Sequence, residues 1–81
     1  MNETVDAVKV RILQLCGERN ISLHKLATMC ALPPSSIKNI LYGKSRNPKI
    51  ITIKMICDGL DITLGEFFST EAFDRLEPEI R

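Results

Sequence analysis

The sequence has 81 residues, of which 44% are hydrophobic and 26% are charged, and its formal net charge is +1. This length allows one small domain with a modest core, and the balance of apolar and charged residues excludes an intrinsically disordered chain. No apolar run reaches the roughly 18 residues that a membrane span needs. Because the N-terminus MNETVDAVKV also contains acids, we expect neither a membrane span nor a signal peptide.

The first predicted helix runs from about Thr4 to Arg19. Apolar residues recur there at the three-to-four-residue spacing of one helix face, at Val5, Val8, Ile12 and Leu15. Asn2 or Thr4 could cap its start, and Gly17–Asn20 would end it.

Two shorter helices are predicted next, near Leu23–Cys30 and Pro34–Tyr42. Their apolar faces consist of Leu23, Leu26, Ala27 and Cys30 in the first, and Ile37, Ile40 and Leu41 in the second. Ser22 can cap the first helix, and Pro33 and Pro34 fit the start of the second. Gly43 follows the last apolar residue, where a helix commonly ends in a left-handed conformation.

A fourth helix is expected from about Lys49, with Asn47 as its N-cap and Pro48 in its first turn. Its expected buried face comprises Ile50, Ile53, Ile56, Cys57 and Leu60. The β-branched residues of Ile50–Ile56 would also suit a strand, but the helical spacing and the cap signals favour a helix.

A capping-box pattern at Thr63 and Glu66 predicts a fifth helix, with Leu64, Phe67 and Phe68 packing inward. In the tail, Phe73 and Leu76 could form the apolar edge of a short sixth helix, with Glu71 and Arg75 paired and Pro78 ending it. This edge could close the domain or contact a second subunit. We therefore expect a main domain over residues 1–69 and a tail over 70–81.

Charge is distributed unevenly along the chain. Seven basic residues and no acid lie in one segment, at Arg19, Lys25, Lys38, Lys44, Arg46, Lys49 and Lys54. From Met55 onward the net charge is −5. Because affinity for a polyanion follows the local patch rather than the total charge, this segment indicates nucleic acid as a partner. The outward residues of the predicted 34–42 helix include no carboxylate, as expected of a helix that lies against DNA.

The ordered set of residues resembles the Cro-like, or xenobiotic-response-element, helix-turn-helix family of phage repressors. The resemblance covers Val5 to Phe68 and rests on Leu26-Ala27, Ile37, Ile40, Gly43-Lys44, Pro48, Leu64, Phe67 and Phe68. It implies an all-α fold, a compact five-helix phage-repressor-like bundle containing a helix-turn-helix, with a short C-terminal sixth helix as an addition. The sequence departs from the family pattern at Ala31, where Gly is common, and at Leu23, where a phosphate-binding Gln is common. Pro33 and Pro34 replace the Ser/Thr and Gln that often begin the second helix.

The resemblance and the side-chain chemistry together give candidate DNA contacts. Asn39 carries an amide suited to adenine and Lys38 a donor suited to guanine, while Ser35 and Pro34 would be weaker base contacts. The candidate phosphate contacts are Ser22, Lys25, Tyr42, Lys44, Ser45, Arg46 and Asn47.

Catalytic and metal chemistry find no support in the sequence. Cys16, Cys30 and Cys57 are widely spaced on apolar helix faces, which indicates buried free thiols in a reducing cytosol. His24 is the single histidine, and no metal-ligand cluster or phosphate-binding glycine loop occurs. We expect no enzymatic activity, no cofactor, no metal and no small-molecule ligand.

The sequence therefore predicts a bacterial, cytoplasmic regulator of phage or mobile-element type that binds double-stranded DNA. It would be a repressor that acts as a homodimer on a palindromic operator. With no appended sensor domain expected, control would come through concentration, proteolysis or a partner. The alternative is a protein-interaction module on the same scaffold, such as an antitoxin or accessory subunit, that binds its partner through Phe73 and Leu76.

Overall fold

The computed structural model describes residues 2–42 and 47–80, and these ranges contain helices and no strand. The six helices are α1 (Glu3–Arg19), α2 (Leu23–Met29), α3 (Pro34–Leu41), α4 (Ile50–Leu60), α5 (Leu64–Phe68) and α6 (Glu71–Asp74). The all-α prediction is confirmed, including the short sixth helix. The fourth element is a helix, so the strand alternative for Ile50–Ile56 is wrong.

The core is formed by the apolar faces of the first five helices. Its buried residues are Val8, Ile12, Leu15, Cys16, Leu26, Ala27, Cys30, Ile37, Ile40, Leu41, Ile53, Ile56, Cys57, Leu60 and Phe67. No buried polar or charged side chain occurs among the described residues. Helix α2 packs against both α3 and α4, so it holds α3 on the core while the opposite side of α3 faces solvent.

The three cysteines are buried and free, as predicted. Burial, together with a smaller effect of the neighbouring Cys16 and Cys57, raises the pKa of the Cys30 thiol to about 11. Thiols that are both buried and protonated are poor nucleophiles, so these residues act as small apolar side chains.

Three helices end with the same backbone motif, in which one residue adopts a left-handed conformation and an apolar residue follows. The left-handed residues are Asn20, Ala31 and Asp61, with φ of 55°, 56° and 57°. After α2, the Ala31 N–H donates to the Thr28 carbonyl at 3.3 Å and the Leu32 N–H donates to the Ala27 carbonyl at 3.0 Å. This Schellman arrangement satisfies carbonyls that the end of a helix would leave unpaired.

Side-chain caps begin α1, α2 and α5 as the sequence predicts. Asn2 accepts from the Val5 amide at 2.9 Å at the start of α1. At α5, Thr63 accepts from the Glu66 amide at 3.0 Å and the Glu66 carboxylate accepts from the Thr63 amide at 3.1 Å. The predicted capping box is thereby confirmed.

The start of α4 differs from the prediction. Lys49 is the N-cap and makes no side-chain capping bond, so the expectation that Asn47 caps this helix is wrong. Pro48 lies before the helix rather than in its first turn, because the residue that follows it, Lys49, is extended at ψ 141° and the helix begins only at Ile50. Ile50 was expected to be buried but is 58% exposed, because the core-facing stripe begins one turn later at Ile53.

Helix α6 and the tail close over α1. The Phe73 ring lies 4.9 Å from the ring of Phe68 between centroids, at an interplanar angle of 65°. Glu71 and Arg75 form the predicted ion pair. Farther along, the Glu79 carboxylate accepts from the Thr4 hydroxyl at 2.6 Å. The apolar edge of the tail therefore contributes to the packing of this chain.

An arginine on α1 forms hydrogen bonds with the backbone of α5. The Arg11 Nε donates to the Phe67 carbonyl at 2.7 Å, and its Nη2 donates to the Glu66 carbonyl at 2.8 Å. The apolar spacing of α1 leaves Arg11 outside the buried face and does not predict these contacts, which bridge 55 and 56 positions along the chain.

Candidate nucleic-acid interface

The turn between α2 and α3 orients α3 on the surface. It runs from the Cys30 C-cap through the left-handed Ala31 to Pro33, the N-cap of α3. Pro34 occupies the first helical position, where its fixed φ suits a helix and its missing N–H is not needed. The prediction that two prolines begin this helix is confirmed.

The outer face of α3, which we define as Pro34, Ser35, Lys38, Asn39 and Tyr42, is exposed to solvent. Its members after Pro34 follow the i, i+3, i+4, i+7 spacing of one helix side, while the buried residues of α3 lie on the other side. Tyr42, at the C-cap, is 69% exposed. This face therefore offers an amide, an ammonium and hydroxyl groups without a carboxylate.

The N-terminus of α2 provides a second set of candidate contacts. The Ser22 hydroxyl oxygen accepts from the Lys25 amide at 3.0 Å, and its own proton remains available to a phosphate oxygen. Lys25 itself is exposed. Both residues are therefore accessible to solvent, as a phosphate contact requires.

The lysines of the basic segment fall into two groups. Lys25, Lys38 and Lys49 are exposed, and within the described ranges none of them forms an ion pair with a carboxylate. Lys54 is different, because it is paired with Asp58 one turn along α4. An ammonium with no carboxylate partner leaves a field that attracts phosphate, whereas Lys54 is already partly neutralised.

A groove lies between α3 and the start of α4, with a volume of about 410 Å³. The residues that line this α3–α4 groove are Ser36, Asn39, Ile40, Asn47, Pro48, Lys49 and Thr52. It brings two predicted contacts, Asn39 and Asn47, to one surface. It also adds Lys49 and the hydroxyl-bearing Ser36 and Thr52, to which the sequence analysis assigned no role. In the sequence, a role for Lys49 was indicated by its position in the basic segment, directly after Pro48.

Four predicted positions lie outside the described residues. They are Gly43, expected to end α3, and the candidate phosphate contacts Lys44, Ser45 and Arg46. The site as described consists of the outer face of α3, the α3–α4 groove, and Ser22 with Lys25.

Neither a metal site nor a membrane span competes with this surface in the described parts of the chain. Over residues 2–42 and 47–80 there is no group of three or more His, Cys, Asp or Glu side chains able to hold a metal ion. His24 is exposed on α2. No helix in those same ranges is both long enough and apolar enough to cross a bilayer.

The residues on which the protein-interaction alternative rests are not free. Phe73 packs against both Phe67 and Phe68, with centroid distances of 6.2 Å and 4.9 Å, and Leu76 is half-buried. The apolar edge of the tail therefore packs against other residues of the same chain.

Comparisons with known proteins agree with this geometry. A family model described as the Cro/C1-type HTH DNA-binding domain matches residues 11–72. The fold is similar to the crystal structure of the prophage Lp1 protein 11, with a TM-score of 0.81 and 25% sequence identity over 94% of this chain and 100% of that one. A search among curated proteins found no match. With more than half of its residues matched, the chain belongs to the Cro/C1-type helix-turn-helix DNA-binding domain family.

Proposed function

We propose that this DNA-binding regulator reads a specific sequence by laying the outer face of α3 in the major groove. The observation that carries the proposal is that Lys38 and Asn39 stand adjacent and exposed on a helix side without a carboxylate. The Asn39 amide can donate to and accept from adenine, and the Lys38 ammonium can donate to guanine O6 and N7. Ser35 and Pro34 would contact flanking bases.

The phosphates on either side are held by the residues around this face. Ser22 and Lys25 reach one strand from the start of α2, and Asn47, with Lys44, Ser45 and Arg46 after α3, reaches the other. Tyr42 contributes its hydroxyl at the end of α3. Because such contacts displace condensed counterions, binding falls steeply as salt rises.

A single subunit of this size reads few base pairs, so two subunits on a palindrome supply the specificity that a genome requires. Repression is the simplest outcome, because a protein that occupies a promoter blocks transcription without a further contact. The similarity to a prophage protein supports a role in a phage or mobile element within the bacterial cytoplasm.

The test is selection from random duplexes at two salt concentrations, followed by sequencing of the retained DNA. Wild type is expected to enrich a palindrome. Asn39→Ala should relax one position in each half-site, at a cost of roughly 1–3 kcal/mol of discrimination. Gln14→Ala, which removes an exposed amide from α1, is the matched control and should enrich the same palindrome. If no sequence is enriched by wild type, the proposal fails.

A further inference from the structure

His24 is the single histidine of the chain, and it lies exposed in the first turn of α2. Its backbone carbonyl accepts from the Thr28 hydroxyl at 3.1 Å. The imidazole ring itself makes no hydrogen bond and no ion pair with any residue that the structure describes. The fold therefore does not use the ring, and both of its nitrogens are available to a molecule outside the chain.

The geometry of α2 gives the direction of this side chain. Side chains of a helix tilt toward its beginning, so those of the first turn lean toward Ser22. Leu23 packs against the core, which leaves His24 and Lys25 exposed beside the Ser22 hydroxyl. These three polar residues share the solvent side of the first turn, and two of them, Ser22 and Lys25, already have proposed phosphate contacts.

The charges around His24 leave its counter-charge to a molecule outside the chain. Helix α2 contains no acid, and α3, which packs on it, carries Lys38. Helix α4, which also packs on α2, carries Lys54 paired with Asp58. The other titratable or charged groups on these helices, at their ends and at the end of α1 are Cys16, Glu18, Arg19, Lys25, Cys30, Tyr42, Lys49, Cys57 and Asp61. Over residues 2–42 and 47–80, none of the acids forms an ion pair with His24.

We propose that His24 in its protonated form binds a backbone phosphate of the duplex, and that the DNA affinity of this protein therefore depends on pH. The inference rests on the proposed function, in which Ser22 and Lys25 hold the same strand. A neutral imidazole has one N–H donor, whereas the imidazolium has two donors and a positive charge. Charge-assisted hydrogen bonds to phosphate are roughly twice as strong as neutral ones, so the protonated form binds better.

The sign of the pH effect follows from the number of protons bound. Phosphate favours the imidazolium, so the complex holds more protons than the free chain and the DNA. Affinity should therefore be greatest below about pH 6 and should fall as the pH rises toward about 8, where an imidazole is neutral. Burial raises the pKa of the thiols of Cys16, Cys30 and Cys57, so they do not titrate in this range. The amino terminus does titrate there, and variants of His24 distinguish its effect.

The experiment measures affinity for the duplex recovered by selection at about pH 5.5 and about pH 8, at one ionic strength. Wild-type affinity should fall roughly threefold to tenfold between the two. Its slope of log affinity against log salt should be steeper by about 0.9 at the lower pH. His24→Gln, which is neutral throughout, should bind at both as wild type does at the higher pH. His24→Lys, which is charged throughout, should bind at both as wild type does at the lower pH.

The matched control moves the imidazole to another helix. His24→Gln/Val10→His keeps one histidine but places it on α1, at a position that is 60% exposed and has no proposed DNA contact. Its affinity should be as independent of pH as that of His24→Gln. If a histidine at position 10 restores the pH dependence, affinity follows the total charge and the phosphate contact of His24 is overturned.

An NMR titration of the single imidazole tests the contact without relying on a loss of affinity. When duplex is added to wild type, the midpoint of the ring titration should move to higher pH by the logarithm of the affinity ratio, about 0.5 to 1 unit. A midpoint that stays in place or moves to lower pH contradicts the phosphate contact, whatever the variants do.

Failure of this inference can be told apart from failure of the proposed function. If wild type binds the duplex equally well at both pH values, the proposed reading of DNA stands and the inference fails. If the pH dependence persists in His24→Gln, another group such as the amino terminus causes it and the inference also fails. If wild type binds no duplex at either pH, the proposed function fails and the inference falls with it.

Discussion

At the scale of single residues, the close approach of α4 to the end of α2 depends on Gly59. A Cβ at this position would lie 2.6 Å from the Cys30 Sγ, 2.8 Å from the Met29 carbonyl oxygen and 2.9 Å from the Met29 carbonyl carbon. The thiol could shift, but the backbone of the α2–α3 turn could not do so without moving α3. Gly59 therefore helps to hold the turn that positions the outer face of α3.

We expect Gly59→Ala to lower the free energy of unfolding by roughly 1–3 kcal/mol, because overpacking forces the backbone of the turn to move. Gly17→Ala is the matched control, since a Cβ at Gly17 meets nothing within 4 Å. That change should raise stability by roughly 0.5–1 kcal/mol through helix propensity. Urea unfolding of the two variants measures both values. Equal effects of the same sign would contradict the close approach of α4 to α2.

The left-handed residues show what single positions can and cannot predict. Asn and Asp tolerate positive φ, so Asn20 and Asp61 are readable as helix ends, particularly because Ile21 and Ile62 follow them. Ala31 lacks that tolerance, and the sequence indicated only that the turn had to be made without glycine. The common signal at all three ends is the apolar residue that follows, which packs against the core.

At the scale of helices, two N-caps of the same chemistry have different surroundings. Ser22 accepts the Lys25 amide at the edge of the candidate interface, while Thr63 accepts the Glu66 amide at the start of α5. Removing either hydroxyl leaves a helix amide without its partner. Only Ser22 also has a proposed DNA contact.

Ser22→Ala and Thr63→Ala should each lower the free energy of unfolding by about 1 kcal/mol. Duplex affinity, measured well below the unfolding transition, should fall for Ser22→Ala and stay at the wild-type value for Thr63→Ala. Chemical denaturation and a fluorescence titration with duplex separate the two effects. Loss of affinity in both variants would mean that stability rather than contact controls binding.

Helix bounds were predictable where apolar spacing and a cap agreed, as in α1, α2 and α5. The start of α4 was less predictable, because Asn47 has the chemistry of a cap but the helix begins without a side-chain cap. The sequence could not predict that Ile50 is exposed. Its three-residue spacing to Ile53 fits the buried face of α4, but the buried residues begin only at Ile53. Long-range contacts such as that of Arg11 with the Phe67 carbonyl leave no periodic signal at all.

At the scale of the whole molecule, the near-neutral total charge conceals an uneven surface. The chain carries a net charge of +1, yet Lys25, Lys38 and Lys49 are exposed without an ion-pair partner in the described ranges. The acids lie mainly after Met55, on α4 to α6 and the tail. This separation was visible in the sequence, but the pairing of Lys54 with Asp58 was settled only by the structure.

Salt dependence distinguishes a lysine that contacts phosphate from one that only adds to the total charge. Each phosphate contact contributes about 0.9 to the slope of log affinity against log salt concentration. Lys25→Gln should therefore reduce that slope by about 1 on a duplex of fixed sequence. Lys54→Gln removes the same charge, but from an ammonium already held by Asp58, and should leave the slope nearly unchanged. Titrations at several salt concentrations measure both slopes. Equal reductions would mean that affinity follows net charge alone, whereas a reduction confined to Lys25→Gln would tie it to the surface formed by α2 and α3.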